Sequence, residues 1–177
     1  MFDPSIGKWI SEDPEGFAAG DVDLYRYCGN APTVGVDPYG QDEIGSVIAN
    51  KKPQYEAAEA DYKSKNKITP IPISSAAAFV KRVGRGKSFK WVLSAQGLLA
   101  LPVDDPNVTH TMATDPVGEP VVAAGWGQVG DDNKIKIDND SGHYAVPKSR
   151  LPAAKGEFER AGFEVEIVND VGGKPKK

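Results

Sequence analysis

With 177 residues, 40% of them hydrophobic and 26% charged, the chain holds enough apolar surface for one core of ordinary size. Its single cysteine, Cys28, excludes an internal disulfide framework and a thiolate zinc cage; with only His110 and His143 as imidazoles, a metal site would need carboxylates, and none is expected. The net charge of −4 is unevenly spread, since residues 1–41 hold seven acidic and two basic side chains, so the rest of the chain is close to neutral.

The first forty residues are dense in turn formers: Asp3-Pro4, Gly7, Asp13-Pro14, Gly20-Asp21, Gly29-Asn30 and Asp37-Pro38. Between them lie short apolar or aromatic pieces, Lys8-Trp9-Ile10 and Leu24-Tyr25-Arg26-Tyr27, each long enough for one short strand. A string of hairpins this short makes no core of its own and leans on a larger β structure. Met1 to Ile10 carries Asp3 and no apolar segment, so no signal peptide is expected there. The longest apolar stretches, around Trp91 to Pro102 and Pro120 to Trp126, are strand-sized, and no membrane span is expected.

Composition then shifts. Pro53 to Asn66 reads as an exposed helix, with Ala57, Ala58 and Ala60 among Glu56, Glu59, Asp61 and Lys63 and Pro53 suited to the first turn. The prolines of Ile68-Thr-Pro-Ile-Pro-Ile73 break it, and this segment is expected to be a linker. Ser74 or Ser75 begins a short helix through Val83 that ends at Gly84. Lys81, Arg82, Arg85, Lys87 and Lys90 form the most basic cluster in the chain, which would attract a nucleic acid or a dinucleotide, although clusters of this size are commonly a solvated face.

Phe89 to Leu101 reads as two strands meeting at Gln96-Gly97, and Val108 to Met112 as a third that carries His110. Pro120 to Val129 is a buried strand whose glycines admit a neighbouring backbone or a ligand. Lys134 to Asp138 pairs with it across the Gly130–Asn133 turn, a helix runs from about Ser149 to Ala161, and Phe163 to Val168 alternates as the last strand. The expected fold is α+β: a small, mostly antiparallel sheet with one or two helices, and a disordered tail at 172–177.

The run FDPSIGKWISEDPEGFAAGDVDLYRYCGNAPTVGVDPYG resembles the end of the RHS/YD-repeat core, the segment that closes the β-cocoon of RHS-family polymorphic toxins. It covers Phe2 to Gly40, and the family's Pro-x4-Asp-Pro-x-Gly-Leu boundary falls at Pro32 to Gly40, with Gln41 where leucine is usual. The resemblance implies a core remnant at 1–41, a helix and linker at 42–73 and a C-terminal toxin domain at 74–171. It also implies interbacterial competition, delivery into a target cell by a specialised route, action in the target cytoplasm, and two partners: the β-cocoon shell of the parent protein and a cognate immunity protein. Asp37 matches the aspartate associated with self-cleavage in that family; a plain Asp-Pro turn is the other reading. Trp91-Val-Leu93, His110, Ala123-Ala-Gly125 and Ser141-Gly-His-Tyr144 with Pro147 also resemble a module of plant IQ-motif calmodulin-binding proteins, which implies a shared β-rich fold and no reaction.

The stretch Ser141 to Pro147 concentrates a hydroxyl, an imidazole and a phenol behind a turn, and three readings of it compete. In the first, His110 and His143 are general base and acid in metal-independent RNA cleavage, Tyr144 or Lys148 stabilises the phosphorane, and Ser141, Arg82, Arg85 and Lys87 hold substrate. Residues 142–147 resemble the second histidine motif of EndoU-type ribonuclease toxins over a few positions. In the second, an ADP-ribosyltransferase binds NAD through His110, Thr111 and Tyr144 with Glu164 or Glu166. In the third, these side chains satisfy turn amides and the domain acts by binding alone. The first reading requires no cofactor.

Overall fold

The apolar run from Phe89 to Leu101 demands strands covered on both faces, whereas the alternation of Lys134 to Ile137 demands cover on one face only. The computed structural model describes residues 2–3, 8–9, 25, 47–102 and 105–172, and the chain divides into two units, Met1–Ser46 and Val47–Lys177. In the first, β1 (Phe2–Asp3) pairs antiparallel with β2 (Lys8–Trp9), Phe2 opposite Trp9. The expected piece around Leu24 to Tyr27 is described only at Tyr25, an exposed turn residue. Cys28, Asp37, the Pro32-to-Gly40 boundary and the tail beyond Gly172 lie outside the described residues.

The second unit is α+β, as the sequence predicts. Its elements are α1 (Glu56–Lys65), β3 (Ile71–Pro72), α2 (Ala76–Val83), β4 (Ser88–Ser94), β5 (Gly97–Pro102), β6 (Ala123–Val129), β7 (Lys134–Ile137), α3 (Leu151–Arg160) and β8 (Glu164–Ile167). The sheet order is β3-β5-β4-β6-β7-β8, antiparallel except for the parallel β7–β8 pair. That exception follows from the connection: α3 carries the chain back over the sheet, as a parallel pair requires. The β6–β7 hairpin turns on Asp132 and Asn133, both at positive φ, where short polar side chains are tolerated.

Two elements differ from the sequence expectation. Ile68 to Ile73 is no linker: Ile71 and Ile73 are buried, Ile71 pairs with Ala100, and the Ile73 amide donates to Leu98 O at 2.9 Å. Prolines are compatible with an edge strand, where one side of the ladder needs no partner, and alternating isoleucines then face the core. His110 lies not on a strand but in a 3-10 turn, His110–Ala113, all four residues of which are buried. Ser75 stands at the start of α2 without a side-chain capping bond, whereas Gly84 ends the helix at φ +93° as expected.

One face of the sheet receives α2 and α3. Phe79 meets Phe89 edge-on at 4.9 Å and Phe158 meets Trp91 at 5.8 Å, arrangements worth about 1 kcal/mol each beyond the area they bury. Successive strand residues point to opposite faces, so Lys90, Val92, Ala124 and Trp126 project the other way. There the His110–Ala113 turn covers β4 and β5, and α1 lies over that turn. Among the described residues no helix is long and apolar enough to cross a membrane.

Candidate functional site

On the face away from α2 and α3, the loop after β7 is fixed before it reaches His143. The buried Asp138 carboxylate accepts from the amides of Trp126, Asp140 and Val171 at 2.9 to 3.1 Å, and the Asn139 amide donates to Val146 O at 2.7 Å. The Ser141 hydroxyl accepts from the Tyr144 amide at 3.3 Å, an ordinary turn bond. The Tyr144 hydroxyl donates to Glu119 O at 2.9 Å, and burial pushes its pKa up. A phenol so engaged stays protonated and anchors the loop.

This anchoring aims His143 at α1. Its Nε2 lies 2.9 Å from Glu59 Oε1, with the two side chains only 12% and 10% exposed. The second oxygen of Glu59 accepts from the Thr111 hydroxyl at 2.6 Å, and Thr111 lies 2.6 Å from the Thr109 hydroxyl. Thr111 has one proton and gives it to Glu59, so Thr109 is the donor in the second bond. A chain Thr109–Thr111–Glu59–His143 results. With Nε2 donating to the carboxylate, the neutral imidazole keeps its lone pair on Nδ1, to which no described residue bonds. Burial pulls the His143 pKa below its ordinary 6.5, against the opposing pull of Glu59, so the ring is a base at neutral pH.

His110 is placed otherwise. It is 2% exposed, its Nε2 donates to Gly125 O at 2.9 Å, and its ring meets Trp126 edge-on at 6.0 Å. Burial, aided by the Lys90 ammonium, lowers its pKa to about 3. The unfolded chain takes up a proton below pH 6.5 that the native state refuses until about pH 3. Stability present above pH 6.5 is therefore lost as the pH falls, by up to about 1.4 kcal/mol per pH unit. In His110→Gln, whose amide reaches the same carbonyl, the fall in urea midpoint between pH 7 and pH 4 is expected to flatten.

The other expected site residues are dispersed. The basic loop joins the far end of β6: the Gly86 amide donates to Val129 O at 2.8 Å and the Val129 amide to Lys87 O at 3.1 Å. His143 O accepts from the Lys51 amide at 2.8 Å, beside the Ile48–Val121 bridge that precedes β6. Val121 and Val129 are eight residues apart, about 26 Å of extended chain. Arg82 lies on α2, over the opposite face of the sheet, and Arg82, Arg85 and Lys87 are exposed. The structure does not bring these cations to His143. Lys90, counted with them in the sequence, is buried; it donates to Val108 O and stands 4.8 Å over the Trp126 ring.

Lys148 is exposed and donates to Asn169 Oδ1 at 2.8 Å. Glu164 and Glu166, on the outermost strand, pair with Lys134 and Lys136 at 3.2 and 3.7 Å, while Thr111 reaches His143 only through Glu59. Among the described residues, no three metal-ligating side chains converge.

Glu59 is the functional candidate that sequence reasoning missed. Helix α1 has no apolar stripe, so nothing marks a buried face; the available signal is that Glu56, Glu59 and Tyr62 recur at intervals of three on one side. All three carry tertiary bonds: Asn50 Nδ2 donates to Glu56 Oε1 at 2.8 Å, and the Tyr62 hydroxyl donates to Asp105 Oδ2 at 2.5 Å. No family model, curated protein or solved structure matches the chain, so the RHS and IQ-motif resemblances stand on the quoted residues.

Proposed function

We propose that residues 47–172 are the effector portion of an RHS-family polymorphic toxin, cleaving RNA without a metal, with His143 as the proton-transfer group and Glu59 as its partner. The 2.9 Å contact between His143 Nε2 and Glu59 Oε1, in a largely enclosed setting, carries this reading. A carboxylate behind an imidazole fixes its tautomer and stabilises the imidazolium that forms when the ring accepts a proton. Nδ1 takes the proton of a ribose 2′-hydroxyl, the 2′-oxygen bonds to phosphorus, the bond from phosphorus to the 5′-oxygen breaks, and the imidazolium returns its proton to that oxygen. The products are a 2′,3′-cyclic phosphate and a 5′-hydroxyl. In this proposal His110 supports the loop and performs no proton transfer.

The remainder of the reading comes from the sequence: delivery with a β-cocoon shell into a competing cell, and a cognate immunity protein that covers the His143 face in the producer. His143→Ala is expected to lower RNA cleavage by about 10²- to 10⁴-fold, the usual contribution of one positioned acid–base group. Sequencing of RNA ends after incubation with the full chain checks this. Cyclic phosphate ends that vanish in the variant support it, whereas NAD consumption with intact RNA points to ribosyl transfer and refutes it.

A further inference from the structure

We propose that the Lys52 ammonium is the subsite for the substrate's phosphoryl group, an inference that rests on the RNA-cleavage reading and names the group by which the substrate is held. Lys52 stands in a segment tied to the candidate site on both sides. The preceding amide, of Lys51, donates to His143 O at 2.8 Å, and adjacent Cα atoms are about 3.8 Å apart, so Lys52 starts one residue from the loop that carries the imidazole. Asn50 holds the segment in place: its Oδ1 accepts from the Lys52 amide at 2.9 Å while its Nδ2 donates to Glu56 on α1. The helix that supplies Glu59 therefore also fixes the backbone from which Lys52 projects.

Two ammonium groups act on the His143 imidazole, those of Lys52 and Lys90, and each opposes its protonation. They are placed differently. Lys90 is buried, donates to Val108 O and lies over Trp126, which makes it part of the scaffold. Lys52 is half-buried and its ammonium bonds to no described residue. An ammonium to which no described residue bonds, beside a general base, suits a substrate that brings its own negative charge, and a phosphodiester carries its charge on oxygens one bond from the phosphorus being attacked. Charge developing on the phosphorane oxygens then strengthens the same contact, which raises turnover as well as binding.

The test uses the full chain with inorganic phosphate as the probe, followed through the ring resonances of His143. Phosphate is expected to shift these signals at pH 7, and Lys52→Gln to weaken the apparent affinity by about 10-fold or more, the usual size of a charge-assisted hydrogen bond. Lys52→Arg retains binding, and Lys81→Gln, on the opposite side of the sheet, leaves it unchanged. With RNA as substrate, Lys52→Gln raises KM and lowers kcat. Phosphate that does not bind the parent chain, or binds Lys52→Gln equally well, overturns the proposal. RNA cleaved equally by parent and Lys52→Gln overturns it while leaving the RNA-cleavage reading intact. Lys52-dependent phosphate binding without RNA cleavage sustains the subsite and sinks that reading, and competition by NAD in place of RNA then identifies the dinucleotide as the phosphoryl source.

Discussion

A fragment that begins at residue 74, where the RHS resemblance implies that a toxin domain starts, is expected to be inactive, while one that begins at Val47 retains activity. The shorter fragment lacks α1 and with it Glu59, the only carboxylate bonded to His143 among the described residues. It also lacks the Ile48–Val121 bridge, the Lys51 amide that holds His143 O, and β3, which covers the β5 edge. Loss of the dyad alone predicts a fall of about 10²- to 10⁴-fold, and the point variant Glu59→Gln is expected to reproduce much of it in an intact fold. Cleavage assays on the two fragments and the variant check this; an active 74–177 fragment would remove Glu59 from the site.

Gly125→Ala is expected to cost about 4 kcal/mol or more, enough to lower the melting temperature by at least about 10 °C or to prevent folding. A β-carbon at this position would lie 1.8 Å from Asp138 O and 2.9 Å from Trp91 Cζ2, where neither the backbone nor a fully buried indole can yield. The same glycine supplies the carbonyl that His110 binds, so displaced backbone also disturbs the turn under α1. Gly142→Ala meets no atom within 4 Å and serves as the silent comparison. Thermal unfolding by circular dichroism measures both. A Gly125→Ala melting temperature within a few degrees of the parent would mean that β6 and Asp138 approach less closely than described.

Strands and hairpins were legible where local pattern and burial agree. The turn at Gln96-Gly97, the Gly130–Asn133 hairpin and the stop at Gly162 all stand where turn chemistry demands them, because each depends on a few adjacent residues. Ile68 to Ile73 was misread because proline forbids a helix and a central strand but not an edge strand, a distinction set by sheet order. His110 reads as a strand residue because Val108, Thr109 and Thr111 around it are β-branched; its burial under α1 depends on contacts distant in sequence.

The site followed the same division. His143 was visible as a titratable group behind a turn, whereas Glu59 lies 84 positions upstream in a helix with no apolar periodicity, and only the fold joins them. The basic cluster is close in sequence but divided by the fold: Lys81 and Arg82 lie on α2, Arg85 and Lys87 in the exposed loop after it, and Lys90 alone on β4, where it is buried.

The most direct measurement of the central claim is the pH dependence of RNA cleavage by the full chain in the presence of a metal chelator. The dyad predicts activity that rises with pH through one inflection below 6.5, because burial lowers the His143 pKa, and then holds a plateau. Glu59→Gln removes the charge that favours the imidazolium, so the inflection moves to lower pH and the plateau falls. Activity abolished by the chelator, or an inflection and plateau untouched by Glu59→Gln, would contradict a His143–Glu59 dyad at the centre of this protein's chemistry.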